Sequence, residues 1–461
     1  MFNARDSVII IGVGRSGLAT ADVLRRKRVS VVAYDDKPAA ELSEQRKELE
    51  KLGVPLIDAG LLPQAAASAS GAVVSPGVPL NSAAVRTVQN AGVPVFSEIE
   101  VAYQLSRAPI IAVTGSKGKS TTTALIGHIL RTDGRQARVG GNIGNPLIRE
   151  TAAAESDEWI VAEVSSFQLE GIRTFAPKIS VLLNISPDHL DRYPSMEEYA
   201  EAKYRIFANQ RPEDMFIGNA DDPYCAALIH GTGRHLPCRS LWFGLDPKNS
   251  DVTATVIGDA LLLRANRKRV PLIKTAELPL RGAHNVQNAL AASLACVSAG
   301  VSLEALRTGL KSFAPLPHRL TVVHEADGIT WVDDSKATNP DAAAKALAAF
   351  ENPIILIAGG KSKGTDFTAF AEAAGRRAKH TILIGEAADE IAAHLARGKY
   401  SKAETLDEAV AKARALASPG DVVLLSPACA SFDMFASAEQ RGELFAQLAR
   451  AAGRRPGVAA S

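Results

Sequence analysis

Cysteine is scarce in this chain and follows no pattern. Cys225, Cys238, Cys296 and Cys429 are scattered, with no Cys-x-x-Cys pair and no metal-ligand spacing. That excludes a disulfide scaffold or a zinc module and fits a reducing cytosolic compartment. An excess of one charge is missing as well. A formal net charge of +2 over 461 residues offers no field for nucleic acid or an acidic membrane. No apolar run reaches membrane-spanning length. The run Val8-Ile9-Ile10-Ile11 is too short for a signal-peptide core and stops at Gly12, so it reads as a first strand. Repeats of solenoid period and low-complexity segments are also lacking, and Gly453-Arg454-Arg455-Pro456-Gly457 reads as a frayed tail. What remains is a soluble globular composition, 46% hydrophobic and 22% charged. At about 150 residues per domain the length suggests roughly three domains.

The most informative stretch is Val113-Thr114-Gly115-Ser116-Lys117-Gly118-Lys119-Ser120-Thr121-Thr122. Ile110 to Val113 has the apolar content of a buried strand, and Thr122 to Leu130 has helical spacing. The turn between them suits a triphosphate: glycines turn backbone N–H groups inward, the helix N-terminus adds partial positive charge, and Lys119 adds a full one. Ser120 or Thr121 is placed to complete the shell of a phosphate-bound magnesium ion. The usual motif separates its glycines by four residues; here Gly115 and Gly118 are separated by two. The flanking strand and helix favour an ATP site over an ordinary turn.

Nearer the N-terminus, Gly12-Val13-Gly14-Arg15-Ser16-Gly17 follows a strand and opens a helix, Leu18 to Arg26. The next strand, Val29 to Tyr34, ends at Asp35-Asp36. This is almost a complete dinucleotide fingerprint, and alone it suggests an NAD-dependent dehydrogenase. A third strand, Ala72 to Val74, runs into Ser75-Pro76-Gly77, at the edge where doubly wound sheets bind ligands. A phosphate-bearing nucleotide is implied, but which one is left open, as is a purely structural use of the glycines.

In the central region Gly140-Gly141-Asn142-Ile143-Gly144-Asn145-Pro146 precedes a helix, and the strand Trp159 to Ala162 delivers Glu163. A carboxylate there suits a second magnesium ligand, with a helix-capping acid as the alternative. The strand Ile179 to Ile185 exits into Asp188-His189, placed either to ligate a metal or to hold a phosphate oxygen. Lys203, on a helix from Met196 to Phe207, reads locally as a solvated surface charge. Residues 239–275 alternate apolar and polar positions, which predicts a small antiparallel addition. Asn285 and Asn288, three apart on the helix to about Ala299, suit an adenine edge, although Asn285 also suits an N-cap.

Beyond the proline-punctuated segment Phe313 to Leu320, a strand pair leads to Asp333-Asp334-Ser335-Lys336-Ala337-Thr338-Asn339-Pro340, an anion pocket at a helix start. Strands Ile354 to Ala358, Thr381 to Ile384 and Val422 to Leu425 predict a second doubly wound sheet. Their ends carry Lys361, Lys363, Ser426 and Ser431, suited to a small carboxylate.

Taken together, these strings resemble the Mur ligase family over essentially the full chain. They are Gly-Ser-Lys-Gly-Lys-Ser-Thr at 115–121, Gly-Gly-Asn-Ile-Gly at 140–144, Glu-Val-Ser-Ser-Phe-Gln-Leu-Glu at 163–170 and Asp-His-Leu-Asp-Arg-Tyr at 188–193, followed by His-Asn-Val-Gln-Asn-Ala at 284–289, Pro-His-Arg at 317–319, Asp-Ser-Lys-Ala-Thr at 334–338 and Ser-Pro-Ala-Cys-Ala-Ser-Phe-Asp at 426–433. The last is the most type-specific.

The resemblance implies an α/β protein of three domains. A Rossmann-like domain at 1–97 would hold the UDP end of the substrate, a P-loop domain at 98–316 would hold ATP, and a Rossmann-like domain at 317–461 would hold the incoming amino acid. It implies ATP-dependent joining of D-glutamate to UDP-N-acetylmuramoyl-L-alanine through an acyl phosphate, with Mg2+, by a cytoplasmic monomer in peptidoglycan precursor synthesis. The UDP contacts would be Gly14, Arg15, Ser16, Asp36, Lys37, Ser75, Pro76, Gly77 and Asn142. ATP would meet residues 115–121 (Gly115, Ser116, Lys117, Gly118, Lys119, Ser120 and Thr121), Asn285, Asn288, Arg319 and Asp334. Glu163, His189, Ser120 and a carbamylated Lys203 would hold metal, with Lys119, His189 and Lys203 catalytic. D-Glutamate would meet Lys336, Thr338, Lys363, Ser431 and Phe432.

Two departures stand out: Lys117 occupies a position where the family often has asparagine, and Asp36-Lys37 replaces a more usual hydroxyl–arginine pair. A related ligase acting on another acceptor, such as folate, accounts less well for the first domain and for the 426–433 string. An NAD-dependent oxidoreductase leaves the P-loop unused. A non-catalytic regulator has no need of Glu163, His189 and Lys203 together. Titration with NADH and with UDP-N-acetylmuramoyl-L-alanine separates these readings, and only the UDP compound is expected to bind. Tight NADH binding without it would restore the dehydrogenase.

Overall fold

The structure, a computed structural model, describes residues 2–188, 192–229, 235–265, 268–362 and 366–452. The expected site residues His189 and Lys363, and the expected tail Gly453–Gly457, lie outside them. The chain packs as two compact units, Met1–Leu278 with Val286–Phe313, and Pro279–Asn285 with Ala314–Ser461.

The first unit carries two sheets. In one, β1 (Ser7–Ile11), β2 (Ser30–Tyr34), β3 (Gly71–Val74) and β4 (Val95–Ser97) run parallel in the order β2-β1-β3-β4. The glycine loop after β1 opens the helix Arg15–Arg26, which packs an alanine- and leucine-rich face inward. The other sheet contains β5 (Ile110–Thr114), β6 (Ala137–Gly141), β7 (Trp159–Glu163), β8 (Ile179–Leu182), β9 (Met215–Asn219), β10 (Arg239–Phe243), β11 (Ala254–Ile257), β12 (Ala260–Ala265) and β13 (Lys268–Lys274). Their order is β13-β12-β11-β10-β9-β8-β5-β7-β6. Every residue of β5 is buried, as expected for a parallel strand covered on both faces. The antiparallel addition is smaller than the alternation predicted. Strand β10 pairs in parallel with β9, because Trp242 and Phe243 bury in the parallel core, and only β11–β13 pair antiparallel.

In the second unit, β14 (Thr321–Ala326) pairs antiparallel with β15 (Ile329–Asp333) at one edge. The rest of the sheet, β16 (Ile354–Gly359), β17 (Ala378–Ile384), β18 (Tyr400–Lys402) and β19 (Val422–Leu425), is parallel, in the order β14-β15-β19-β16-β17-β18. Among the described residues, no helix is long and apolar enough to cross a membrane.

The first unit's two sheets are joined by the helix Glu98–Leu105, which follows β4 directly. Ser97 N–H donates to Gly171 O at 3.0 Å. The Glu100 carboxylate accepts from the successive N–H groups of Arg173, Thr174 and Phe175 at 2.9–3.0 Å, and from the Thr174 hydroxyl. A buried carboxylate with this many donors is a structural rivet. Glu100→Ala would leave those donors unpaired at roughly 1–3 kcal/mol each. Urea unfolding should therefore show a loss of at least about 3 kcal/mol, and a loss below about 0.5 kcal/mol would contradict this account.

Candidate active site

Strand β5 lies between β7 and β8, so the loop leaving it is flanked by both of their exits. Gly118 stands at φ 85°, and a Cβ there would meet the Asn288 side chain at 2.3 Å. Only glycine allows that approach. The helix then begins at Lys119, three residues earlier than the apolar spacing predicted, and places Lys119, Ser120 and Thr121 in its first turn. Lys119 Nζ donates to the carbonyls of Gly115 and Ser116 at 2.8 and 2.9 Å.

The loop is clamped by Asn184 at the exit of β8. Its Oδ1 accepts from Lys117 N–H at 2.9 Å and its Nδ2 donates to Lys117 O at 3.0 Å. Sequence reasoning missed this residue by treating Ile179 to Ile185 as one strand. The strand ends at Leu182, and a lone asparagine within an apolar run was the available signal. Lys117 Nζ reaches Asp188 Oδ2 at 3.1 Å.

Glu163 ends β7, in register with Val113 of β5. It is 3% exposed, and its Oε1 accepts from Asn142 Nδ2 at 2.7 Å. Its Oε2 is buried without a hydrogen-bond partner. The capping alternative does not hold. Helix Ser166–Glu170 is capped by Ser165, in a reciprocal box with Gln168.

The surface reading of Lys203 is overturned. Its helix, Met196–Tyr204, buries it at 1% exposure, where Nζ donates to Gly115 O at 3.1 Å and lies 4.4 Å from the Tyr199 ring centre. Burial, with the Lys119 charge adding to it, pushes the ammonium's pKa well below the usual lysine range, and Asp188 acts in the opposite sense.

At the first sheet's edge, Gly17 is required, since a Cβ there would meet Gly12 O at 2.0 Å. Ser75 Oγ donates to that same carbonyl at 2.6 Å. The acidic pair divides its work differently from the ribose role the fingerprint suggested. Asp35 accepts from Val13 N–H at 2.8 Å, and Asp36 accepts from Tyr34 OH at 2.6 Å. Arg15 donates to Gly144 O, so the glycine loop and the Asn142 loop meet. Arg192 donates to Glu170 at 2.6 Å, stacks 4.1 Å from the Phe167 ring centre and touches Pro76 O at 3.4 Å. Gly14, Arg15, Asp36, Lys37, Gly77 and Asn142 are exposed, while Ser16 and Pro76 are half-buried.

In the second unit, Asn285 sits within the first turn of the helix Ala283–Ser298, donating to Arg281 O, so it is not an N-cap. Asp334 is buried. Burial lifts its carboxyl to about 7, against a hydrogen bond from Ser426 Oγ at 2.8 Å and the Arg319 charge. Arg441, fully buried on the last helix, binds Ser335 Oγ and O as well as the carbonyls of Cys429 and Ala430, and so ties the 334–338 loop to the 426–433 loop. Nothing local in the sequence marks it. Lys336 pairs with Glu439 at 2.5 Å, a partner the sequence did not reveal. Thr338 is half-buried, Ser431 is buried and Phe432 is 70% exposed.

Comparison with known proteins bears on all three regions. The "Mur ligase MurD-like, N-terminal domain" matches residues 6–97, the "Mur ligase middle domain" 113–296, and the "Mur ligase, glutamate ligase domain" 318–429. The chain is 46% identical to the UDP-N-acetylmuramoylalanine--D-glutamate ligase of Pelotomaculum thermopropionicum, over 96% of this chain and 97% of that protein. It is 41% identical to the like-named enzyme of a Thermoanaerobacter species, over 95% and 96%. Among solved structures, the UDP-N-acetylmuramate-alanine ligase of Thermotoga maritima shares the fold at TM-score 0.61 and 20% identity, over 97% of this chain and 99% of that one. The MurF ligase of T. maritima, solved with ADP, aligns at TM-score 0.60 and 18% identity, over 92% and 94%. Matched from its N-terminal sheet to its last, this chain belongs to the Mur ligase family.

Proposed function

We propose that this chain is the ATP-dependent ligase that joins D-glutamate to UDP-N-acetylmuramoyl-L-alanine, acting in the cytoplasm as a monomer. The observation that carries this reading is the buried pair Glu163 and Lys203 beside the Gly115–Thr121 loop, with one Glu163 oxygen unpartnered. A buried carboxylate oxygen without a donor is costly unless a cation meets it. Ser120, Glu163, His189 and a carbamylated Lys203 would hold magnesium, which when bound supplies positive charge to the triphosphate.

The remaining chemistry falls to the chain's own groups. The L-alanyl carboxylate oxygen attacks the γ-phosphorus, the bond to the ADP oxygen breaks, and an acyl phosphate forms. The glutamate amine attacks the acyl carbon and phosphate leaves, giving the amide. Lys119 and His189 offset charge on the phosphoryl oxygens in both steps. Asn285, Asn288, Arg319 and Asp334 hold the rest of ATP. Gly14, Arg15, Ser16, Asp36, Lys37, Ser75, Pro76, Gly77 and Asn142 hold the UDP portion. Lys336, Lys361 and Lys363 offset the glutamate carboxylates, with Thr338, Ser431 and Phe432 around them. The domains 1–97, 98–316 and 317–461 divide these tasks.

Lys203 is suited to carbamylation because its burial favours the neutral amine, the form whose nitrogen bonds to the carbon of CO2 with loss of a proton. Lys203→Ala should nearly abolish ligation and acetate should partly restore it. Full activity in the variant, or rescue by a small amine instead, would refute the role.

The test of the whole reading is phosphate release from ATP with UDP-N-acetylmuramoyl-L-alanine and a panel of amino acids. D-Glutamate should support turnover above the others, and Lys119→Ala should remove it at a cost of several kcal/mol, roughly 3–4, in transition-state stabilisation. Equal turnover with another amino acid would replace the substrate, and wild-type turnover in Lys119→Ala would displace the ATP site.

A further inference from the structure

The helix Glu98–Leu105 carries a second acid that neither the fold nor the reaction has yet explained. Glu98 is 1% exposed. Its Oε1 accepts from Ile148 N–H at 2.7 Å. Ile148 is the second residue of the helix Leu147–Ala153, whose N-cap, Pro146, provides no side-chain cap. Glu98 thus caps, from a distant part of the chain, the helix that terminates the Gly140–Pro146 loop. Its Oε2 has no hydrogen-bond partner, although the Gln168 amide lies near enough to favour the ionised form. Burial outweighs both influences and lifts the carboxyl to about 7. A rivet like Glu100 has every oxygen occupied, whereas Glu98 keeps an oxygen buried and unsatisfied, so stability alone is a poor account of it.

The groups around Glu98 nearly close a circuit. Ile148 follows the loop that carries Asn142, and Asn142 Nδ2 donates to Glu163 Oε1 at 2.7 Å. Two residues beyond Glu163, Ser165 donates from N and Oγ to Gln168 Oε1 at 2.9 and 3.1 Å. The Gln168 amide in turn lies close to Glu98. The circuit is anchored to the first sheet, because Ser97 N–H, adjacent to Glu98, donates to Gly171 O just past the same helix.

We propose that Glu98 is a positioning residue for the ligase reaction. From the joint between the two sheets, it holds the Asn142 loop and the Glu163 strand exit in register with the edge where the UDP substrate binds. The inference rests on the proposed contact between Asn142 and that substrate. Shortening or removing Glu98 should let the loop shift, and small displacements at a binding edge carry large costs in affinity.

The test is calorimetric titration of the full chain with UDP-N-acetylmuramoyl-L-alanine, without ATP or metal, alongside KM and kcat for each substrate. Glu98→Ala should weaken binding about tenfold or more, with KM for the UDP substrate rising more than KM for ATP. Glu98→Asp retains the charge but cannot span to Ile148, and should weaken binding likewise. Glu98→Gln retains the acceptor and should recover most of the affinity. Wild-type affinity in folded Glu98→Ala, or in Glu98→Asp should the alanine variant not fold, overturns the proposal. A lowered melting temperature with unchanged binding overturns it equally. Asn142→Ala separates the two layers of inference. Unchanged affinity there removes the Asn142 contact itself, whereas weakened affinity there with none in the Glu98 variants removes Glu98 alone.

Discussion

Burial of charge at the end of β5 is the constraint on which the first unit depends. Lys203 is enclosed near Lys119 and Lys117, and Glu163 is enclosed with an unpartnered oxygen. Each group alone would be expensive to desolvate. The fold reduces the cost by favouring the neutral Lys203 amine and by giving that amine the Gly115 carbonyl. Glu163 gets one donor from Asn142 and keeps the other oxygen for a cation. The same geometry that makes these residues poor surface groups makes them suitable for phosphoryl chemistry.

Holding that arrangement requires rigid loops, and the molecule uses short polar side chains to fix them. Asn184 clamps Lys117 from both sides of its peptide, and Asn142 binds Glu163. In the second unit, Arg441 does comparable work on carbonyls of the loop before the last helix. The Asn184 and Asn142 contacts join segments 67 and 21 residues apart, so they fix relative position where local turns could not.

The glycine loop after β1 illustrates why fold and chemistry separate. Gly12-Val13-Gly14-Arg15-Ser16-Gly17 has the spacing of a dinucleotide site, and the need for glycine at 17 is steric, set by the Gly12 carbonyl. That requirement is the same for any diphosphate. The acid that would mark a ribose instead ties down Val13, so the fingerprint records a backbone solution and leaves the ligand open.

The sequence by itself determined the element types, the parallel sheets and the glycine-lysine loop. Those follow from apolar periodicity and from residues with few conformational alternatives, which act over a few neighbours. It also marked Glu163 at a strand end. The sequence could not reveal that Lys203 is buried, because a helix seen alone does not show which face a distant loop will cover. It ran one strand through Asn184, and it read β10 as antiparallel, because pairing direction depends on a partner elsewhere in the chain. Nothing local in the sequence singled out Arg441 or Glu98. Their meaning comes from loops more than forty residues away, Glu98 reaching Ile148 at a separation of 50 residues and Arg441 reaching Ser335 at 106. Only tertiary packing removes water from such groups, and that removal turns a surface charge into a capping, clamping or reactive one.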